Sequence, residues 1–163
     1  VEAARLATPD DLEAVAELAR LAVAELALLR GGPVWQAQTA RREPIVDGVA
    51  QQLGRPSEAG AMVVGTVDDT VVGYGVTTIE AVDGGRTLAV ISDLYVDPEA
   101  RGIGVGEAML DLLIDHARSV GAIGIDALAL PGDRATKNFF ETFGLKARAI
   151  VVHRSFEDED PGA

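Results

Sequence analysis

The chain has no cysteine. That excludes disulfides, thiolate metal sites and a cysteine nucleophile together. Histidine occurs only as His116 and His153, far apart and without metal-ligand spacing, so no metal site is predicted. Basic residues are also few: 14 Lys and Arg stand against 26 Asp and Glu, for a formal net charge of −12. Nucleic acid is therefore not an expected partner, because binding phosphates along a duplex needs a basic face. The acidity serves solubility; attraction of a cationic substrate is the functional alternative. No apolar run reaches the length of a membrane span, so no membrane partner is predicted. The opening VEAARLATPDD lacks the basic-then-apolar pattern of a secretory signal, and the expected location is cytoplasmic.

What is present suits one globular unit. The 163 residues are 48% hydrophobic and 25% charged, an ordinary balance for a packed core. A single domain is expected over residues 1–156, with EDEDPGA, residues 157–163, as a frayed acidic end. EAARLA reads as a short strand. In TPDD, Thr8 can cap, Pro9 suits a first helical position, and Asp10 and Asp11 favour the positive end of a helix dipole. Leu12, Val15, Ala16, Ala19, Ala22, Val23, Leu26 and Leu29 then recur at helical spacing, until Gly31, Gly32 and Pro33 stop the helix. Residues 34–60 predict a loop and one short helix around PIVDGVAQQL. Trp35 is expected in the core; Arg41 and Arg42 could meet a carboxylate on an acceptor, but the expected reading is exposed surface arginines.

AMVVGTV and TVVGYGVTTIEA, joined at Asp68-Asp69, predict a hairpin. A turn at DGG leads to a third strand, TLAVISDLYV. Val105, Met109, Leu112, Leu113, Ala117 and Val120 form the apolar stripe of a second long helix. AIGIDALAL then predicts a buried strand, GDRATKNFFETF a helix, and ARAIVVHRSF a last strand. The fold class is α/β (α+β). It is a mixed, mostly antiparallel central sheet with one parallel strand–helix–strand crossover and helices on both faces.

Between the third strand and the second long helix lies DPEARGIGVGEAM, with Gly102, Gly104 and Gly106 alternating. A Walker loop would end in Gly-Lys-Ser/Thr, but Glu107 follows Gly106. A Rossmann fingerprint needs Gly-x-Gly-x-x-Gly directly on a first strand, with a doubly wound sheet to follow, and too few residues remain. A bland turn accounts for one glycine better than for three. The pattern fits a pyrophosphate cradle: backbone amides at a helix N-terminus facing one anion with no β-carbons between them, and Arg101 at the rim.

LYVDPEARGIGVGEAML resembles the acyl-CoA signature of the GNAT-type N-acetyltransferase superfamily, Arg/Gln-x-x-Gly-x-Gly/Ala, with Arg101, Gly104 and Gly106 at its fixed positions. DRATKNFFETFGL resembles that family's later helix, and ATPDDLEAVAELA its opening strand-to-helix passage. The resemblance implies acetyl-CoA as donor cosubstrate and a primary amine of a small molecule or peptide as acceptor. The alternative is a non-catalytic acyl-CoA-binding or sensing domain. It implies that the amides of Arg101, Gly102, Ile103, Gly104, Val105 and Gly106 hold the CoA pyrophosphate. The backbone of Leu94, Tyr95 and Val96 would pair with the pantetheine arm in a gap where that strand splays from IGIDALAL. Asn138 and Phe140 would flank the arm and the sulfur. Without cysteine, direct attack in a ternary complex is the simplest route. The resemblance makes the Val96 amide the oxyanion donor. Asp93 is the first candidate base, and Asp126, a carboxylate inside an apolar run, the second. His153 has a suitable intrinsic pKa but reads as a packed or exposed strand residue. Phe140 stands where the family commonly has a tyrosine that protonates the leaving thiolate, so water or Tyr95 would serve. Asp133 and Thr136 also depart from the family's residues on that helix. Nothing in the sequence decides against a homodimer.

Overall fold

The computed structural model describes residues 1–131 and 133–157. The acidic end, apart from Glu157, lies outside the described residues. Five strands form one sheet in the order β1-β2-β3-β4-β5: β1 Glu2–Leu6, β2 Gly60–Val67, β3 Thr70–Val82, β4 Arg86–Val96 and β5 Ile125–Ala127. The first four are antiparallel neighbours, and β4 and β5 run parallel. The helices are α1 Leu12–Ala27, α2 Gly32–Gln38, α3 Ile45–Leu53, α4 Val105–Ser119 and α5 Arg134–Thr142. The expected mixed sheet with a parallel crossover through α4 is therefore the observed one.

Each face of the sheet has its own core. On one face α1 buries Val15, Ala16, Leu18, Ala19 and Ala22, positions three and four apart that share one side of a helix. They pack with Val49 of α3 and with Val64, Tyr74, Val76 and Tyr95 of the sheet. On the other face Val105, Met109, Leu110 and Leu113 of α4 pack with Val63, Ile91 and Phe140. Two sheet glycines let α4 come close: a β-carbon on Gly65 would lie 2.3 Å from Val105 Cγ1, and one on Gly73 would lie 2.9 Å from Met109 Cε.

The approach to α1 is held by charge. Asp11, 5% exposed, accepts from both terminal nitrogens of Arg5 at 2.7 and 3.0 Å and from the Thr8 amide at 2.7 Å. First the Arg5 hydrogen bond and then the Thr8 amide keep its carboxyl below the usual aspartate value, against the effect of burial. The β2–β3 turn puts Asp68 and Asp69 at φ +46° and +66°, the left-handed pair a two-residue hairpin requires.

Three expectations are corrected. Gly32 and Pro33, expected only to end α1, and residues 34–38, expected as loop, form α2, and its Trp35 is half-buried rather than in a core. The strand expected in AIGIDALAL shrinks to the three residues of β5, which are partly rather than fully buried. ARAIVVHRSF forms no strand, and Ile150, Val151 and Val152 are 84%, 90% and 89% exposed. β-Branched residues favour strands only where an edge and a half-buried surface receive them. β5 offers an edge of three residues, and its pairing with β4 ends at Ala127.

Candidate active site

The site begins with a register slip. Val76 faces Asp93 across β3 and β4, but Thr77 faces Ile91, so Ser92 is an extra residue in β4. Such a bulge bends its strand and increases the local twist. It falls where β4 leaves β5, since only Ala89–Ile91 pair with Ile125–Ala127. From Ser92 to Val96 one side of β4 faces β3, and among the described residues no strand covers the other.

The orientation of that open edge follows from one bond. The Asp97 amide donates to the Val72 carbonyl at 2.8 Å. Antiparallel pairs alternate between bonded and non-bonded, so Tyr95 exchanges bonds with Tyr74, and Leu94 and Val96 turn their N–H and C=O groups away from β3. The Val96 carbonyl, thus turned, accepts from Arg101 Nε at 2.9 Å.

Beyond β4 a short 3₁₀ turn, Pro98–Ala100, starts under Asp97, whose carboxylate accepts from the Glu99 amide at 2.9 Å. Gly102 and Gly104 then take φ +81° and +99°, a region costly for residues with a β-carbon. Gly104 caps α4 without a side-chain bond. The Arg101 amide, expected in the cradle, instead donates to the Pro98 carbonyl at 3.5 Å; among the described residues, the amides of Gly102, Ile103, Gly104, Val105, Gly106 and Glu107 donate to no protein acceptor. They form a run of free donors at the positive end of a fifteen-residue helix. A β-carbon built on Gly102 would meet nothing within 4 Å, and one on Gly106 would lie 3.5 Å from the Phe139 ring. One on Gly104 would lie 3.5 Å from Glu2 Cγ and 3.9 Å from Glu2 Oε1, so Glu2 stands beside the middle of the cradle and Phe139 against its first helical turn.

Phe140, the residue expected at the ligand, is buried among the α4 core residues, and Asn138 beside it is exposed. Phe139, not Phe140, reaches the cradle. Asn138 and Phe140, two apart, lie on opposite sides of α5, and the double phenylalanine concealed which ring lies beside the cradle.

Arg101 joins the cradle to α1. Its two terminal nitrogens each bond one oxygen of Glu25 at 2.9 Å, and its guanidinium lies 5.3 Å from the centre of the Tyr95 ring. Tyr95 donates its hydroxyl to the same Glu25 at 2.9 Å. The Arg101 hydrogen bond, opposed by burial, holds Glu25 below its ordinary value. Burial first, and then the Glu25 carboxylate, pushes the Tyr95 phenol up to about 12. Glu25 carries no sequence signal, because it stands off the apolar stripe of α1, 70 residues from Tyr95.

Asp93 sits on the same face of β4 as Tyr95 and is surrounded. One oxygen accepts from Arg41 Nε at 2.7 Å and from the Tyr74 hydroxyl at 2.6 Å. The other accepts from Arg41 Nη2 at 3.1 Å and from Ser92 Oγ at 2.7 Å. Four donors fill the acceptor sites of one carboxylate. Arg41 also bonds Gln52, and its side chain is only 14% exposed, against the surface position expected for it. Burial and then the Asp93 charge raise the Tyr74 phenol well above its ordinary value. Tyr74 was legible only as a tyrosine between Gly73 and Gly75.

Asp126 lies at the foot of the opening, opposite Val90. Arg148 Nε reaches both its oxygens, at 2.8 and 3.0 Å, and this pairing keeps the carboxyl below its ordinary value. His153 is exposed. Among the described residues no helix is long and apolar enough to cross a membrane.

Three comparisons bear on this geometry. A model of the Acetyltransferase (GNAT) family matches residues 22–145. Mycothiol acetyltransferase of Propionibacterium freudenreichii subsp. shermanii is 34% identical over 94 residues, 58% of this chain and 30% of that protein. The chain therefore spans about a third of that relative. Among solved structures, one described as a possible acetyltransferase from Clostridium difficile 630 superposes with a TM-score of 0.71 at 19% identity, covering 95% of this chain and 97% of the other. Ribosomal-protein-alanine N-acetyltransferase from Brucella melitensis biovar Abortus 2308 gives 0.67 at 18% identity, covering 96% and 99%. These structural likenesses carry the fold. The open edge of β4, the free amides opening α4 and the match across residues 22–145 together make this chain a member of the GNAT acetyltransferase family, whose reaction is acyl transfer from acetyl-CoA.

Proposed function

We propose that the protein acetylates a primary amine of a small molecule or peptide by direct attack of the amine on acetyl-CoA, both held at the β4 opening. The observation that carries this reading is the run of six unbonded amides, Gly102 to Glu107, beside a strand edge that is free from Ser92 onward. Such a run suits a pyrophosphate. The outward N–H groups of Leu94 and Val96 and the outward C=O of Leu94 suit an amide-bearing arm laid along β4 as an added strand. Arg101 lies at the rim of the cradle, already oriented by Glu25.

In the reaction the neutral amine nitrogen bonds the thioester carbonyl carbon, the C–S bond breaks, the CoA thiolate leaves, and the nitrogen gives up one proton to water. The Val96 amide faces the open edge, where it can donate to the developing oxyanion. Holding both reactants supplies much of the rate, on the order of several kcal/mol. Tyr95 donates its hydroxyl to Glu25 and is held there. A thiol of pKa about 8.5 leaves as thiolate near neutral pH without a residue to protonate it, and it takes up from solvent the proton that the amine nitrogen gives up. Asp93, with its acceptor sites filled, acts as a positioning residue for Arg41 and Tyr74. Asp126 stays in its ion pair with Arg148. The acceptor ammonium loses its proton to water in the open site.

The test is thiol release from acetyl-CoA across an amine panel, with thermal stabilisation by CoA, NAD and ATP measured in parallel. Release that depends on an amine, together with stabilisation by CoA alone, is expected. Stabilisation by CoA with no release from any amine would leave a binding or sensing domain instead.

A further inference from the structure

On the α1 side of β4, next to the buried Arg41–Asp93 pair, lies a cavity of about 380 Å³ lined by Arg20, Val23, Gln36, Arg41, Arg42 and Glu43. In a chain of net charge −12, three arginines gather here around one carboxylate. Their pairings differ. Arg41 is fixed by Asp93 and Gln52. Arg20 bonds Glu43 at 3.3 Å and approaches Glu17 at 3.6 Å. Arg42 donates only to the neutral carbonyl of Ala37, and among the described residues no carboxylate lies within ion-pair distance of it. Among the described residues, Arg42 is thus the cavity's one cation with no carboxylate partner, and its side chain is exposed.

Resting on the transferase reading above, we propose that this cavity receives the acceptor, and that the acceptor carries an anionic group, carboxylate or phosphate, which Arg42 binds. Two observations join the cavity to the reaction. Arg41, part of its lining, bonds the β4 residue next to the bulge that opens the strand edge. Glu25, which anchors Arg101 at the cradle, follows Val23 and Ala24, both of which line the cavity. An amine whose anionic end meets Arg42 would therefore lie between the cavity and the open edge. The planar guanidinium can hold either anion with two parallel bonds.

The experiment compares thiol-release rates for matched amines: glycine with glycinamide, 6-aminohexanoate with 6-aminohexanamide, and glucosamine 6-phosphate with glucosamine. The anionic member of at least one pair is expected to have a kcat/KM about tenfold higher or more. Arg42→Gln should erase that advantage by raising the KM of the anionic member, leaving the neutral member and acetyl-CoA within about twofold. Preference in the carboxylate pairs alone assigns a carboxylate, and preference in the phosphate pair alone assigns a phosphate. A second readout needs no turnover: the same anionic amines should raise the melting temperature of the CoA-saturated protein, and not that of Arg42→Gln. Neutral members equal or better in every pair, or equal losses for both members in Arg42→Gln, overturn the inference while leaving the transferase reading intact. If no amine releases thiol, the transferase reading fails, and the absence of stabilisation by any anionic amine then overturns this inference too.

Discussion

Asp93→Asn separates a positioning carboxylate from a catalytic base. In the wild type the Arg41 and Asp93 side chains are 14% and 12% exposed, and Asp93 accepts from Arg41, Tyr74 and Ser92. Asparagine keeps the shape but removes the charge, and it turns an –NH₂ group toward groups that can only donate or already do. Arg41 is left partly buried with no counter-ion. Removing one partner of such a pair costs about 3–5 kcal/mol, and the amide oxygen that remains argues for the lower end, about 3 kcal/mol. For a domain of this size each kcal/mol moves Tm by about 2–4 °C, so a fall of about 6–12 °C is expected. The paired assay is kcat/KM across pH, measured at a temperature where the variant is still folded. A positioning role predicts a lower plateau with the profile otherwise unchanged. An unchanged Tm, combined with loss of the profile's acidic limb, would refute the reasoning and make Asp93 the base.

Other predictions follow from single contacts. Gly104→Val forces a β-branched residue to φ +99° at the centre of the cradle, so stabilisation by CoA should vanish in a thermal-shift assay while the variant remains folded. Gly65→Ala places a methyl 2.3 Å from Val105 Cγ1, and denaturant unfolding should show a loss of about 1–3 kcal/mol. Asp11 has a folded pKa lowered from 3.8, so its stabilisation is present above that value and is lost as pH falls through the lower folded value. Asp11→Asn should therefore cost about 1 kcal/mol near neutrality, and the gap to wild type should narrow below pH 3.8 when unfolding curves are compared.

Legibility followed the range of the interactions. The alternating glycines, the apolar stripe of α4 and the paired aspartates of the β2–β3 turn are local signals, and each marked its element. Glu25, Tyr74 and Ser92 were not legible, because their roles depend on partners brought together by the sheet. The bulge at Ser92 exists only as a mismatch of register between two strands. Arg41 looked like a surface residue because Asp93, its partner, lies 52 positions away. Residues 147–156 failed in the other direction: their propensity is that of a strand, but propensity supplies no edge to pair with.

Amide NMR during a CoA titration tests the central claim most directly. The account predicts that the largest shifts fall on Gly102 to Glu107 and on Leu94 and Val96, the free donors of the cradle and of the open edge. Shifts confined to other parts of the chain, with those amides unmoved at saturation, would contradict it.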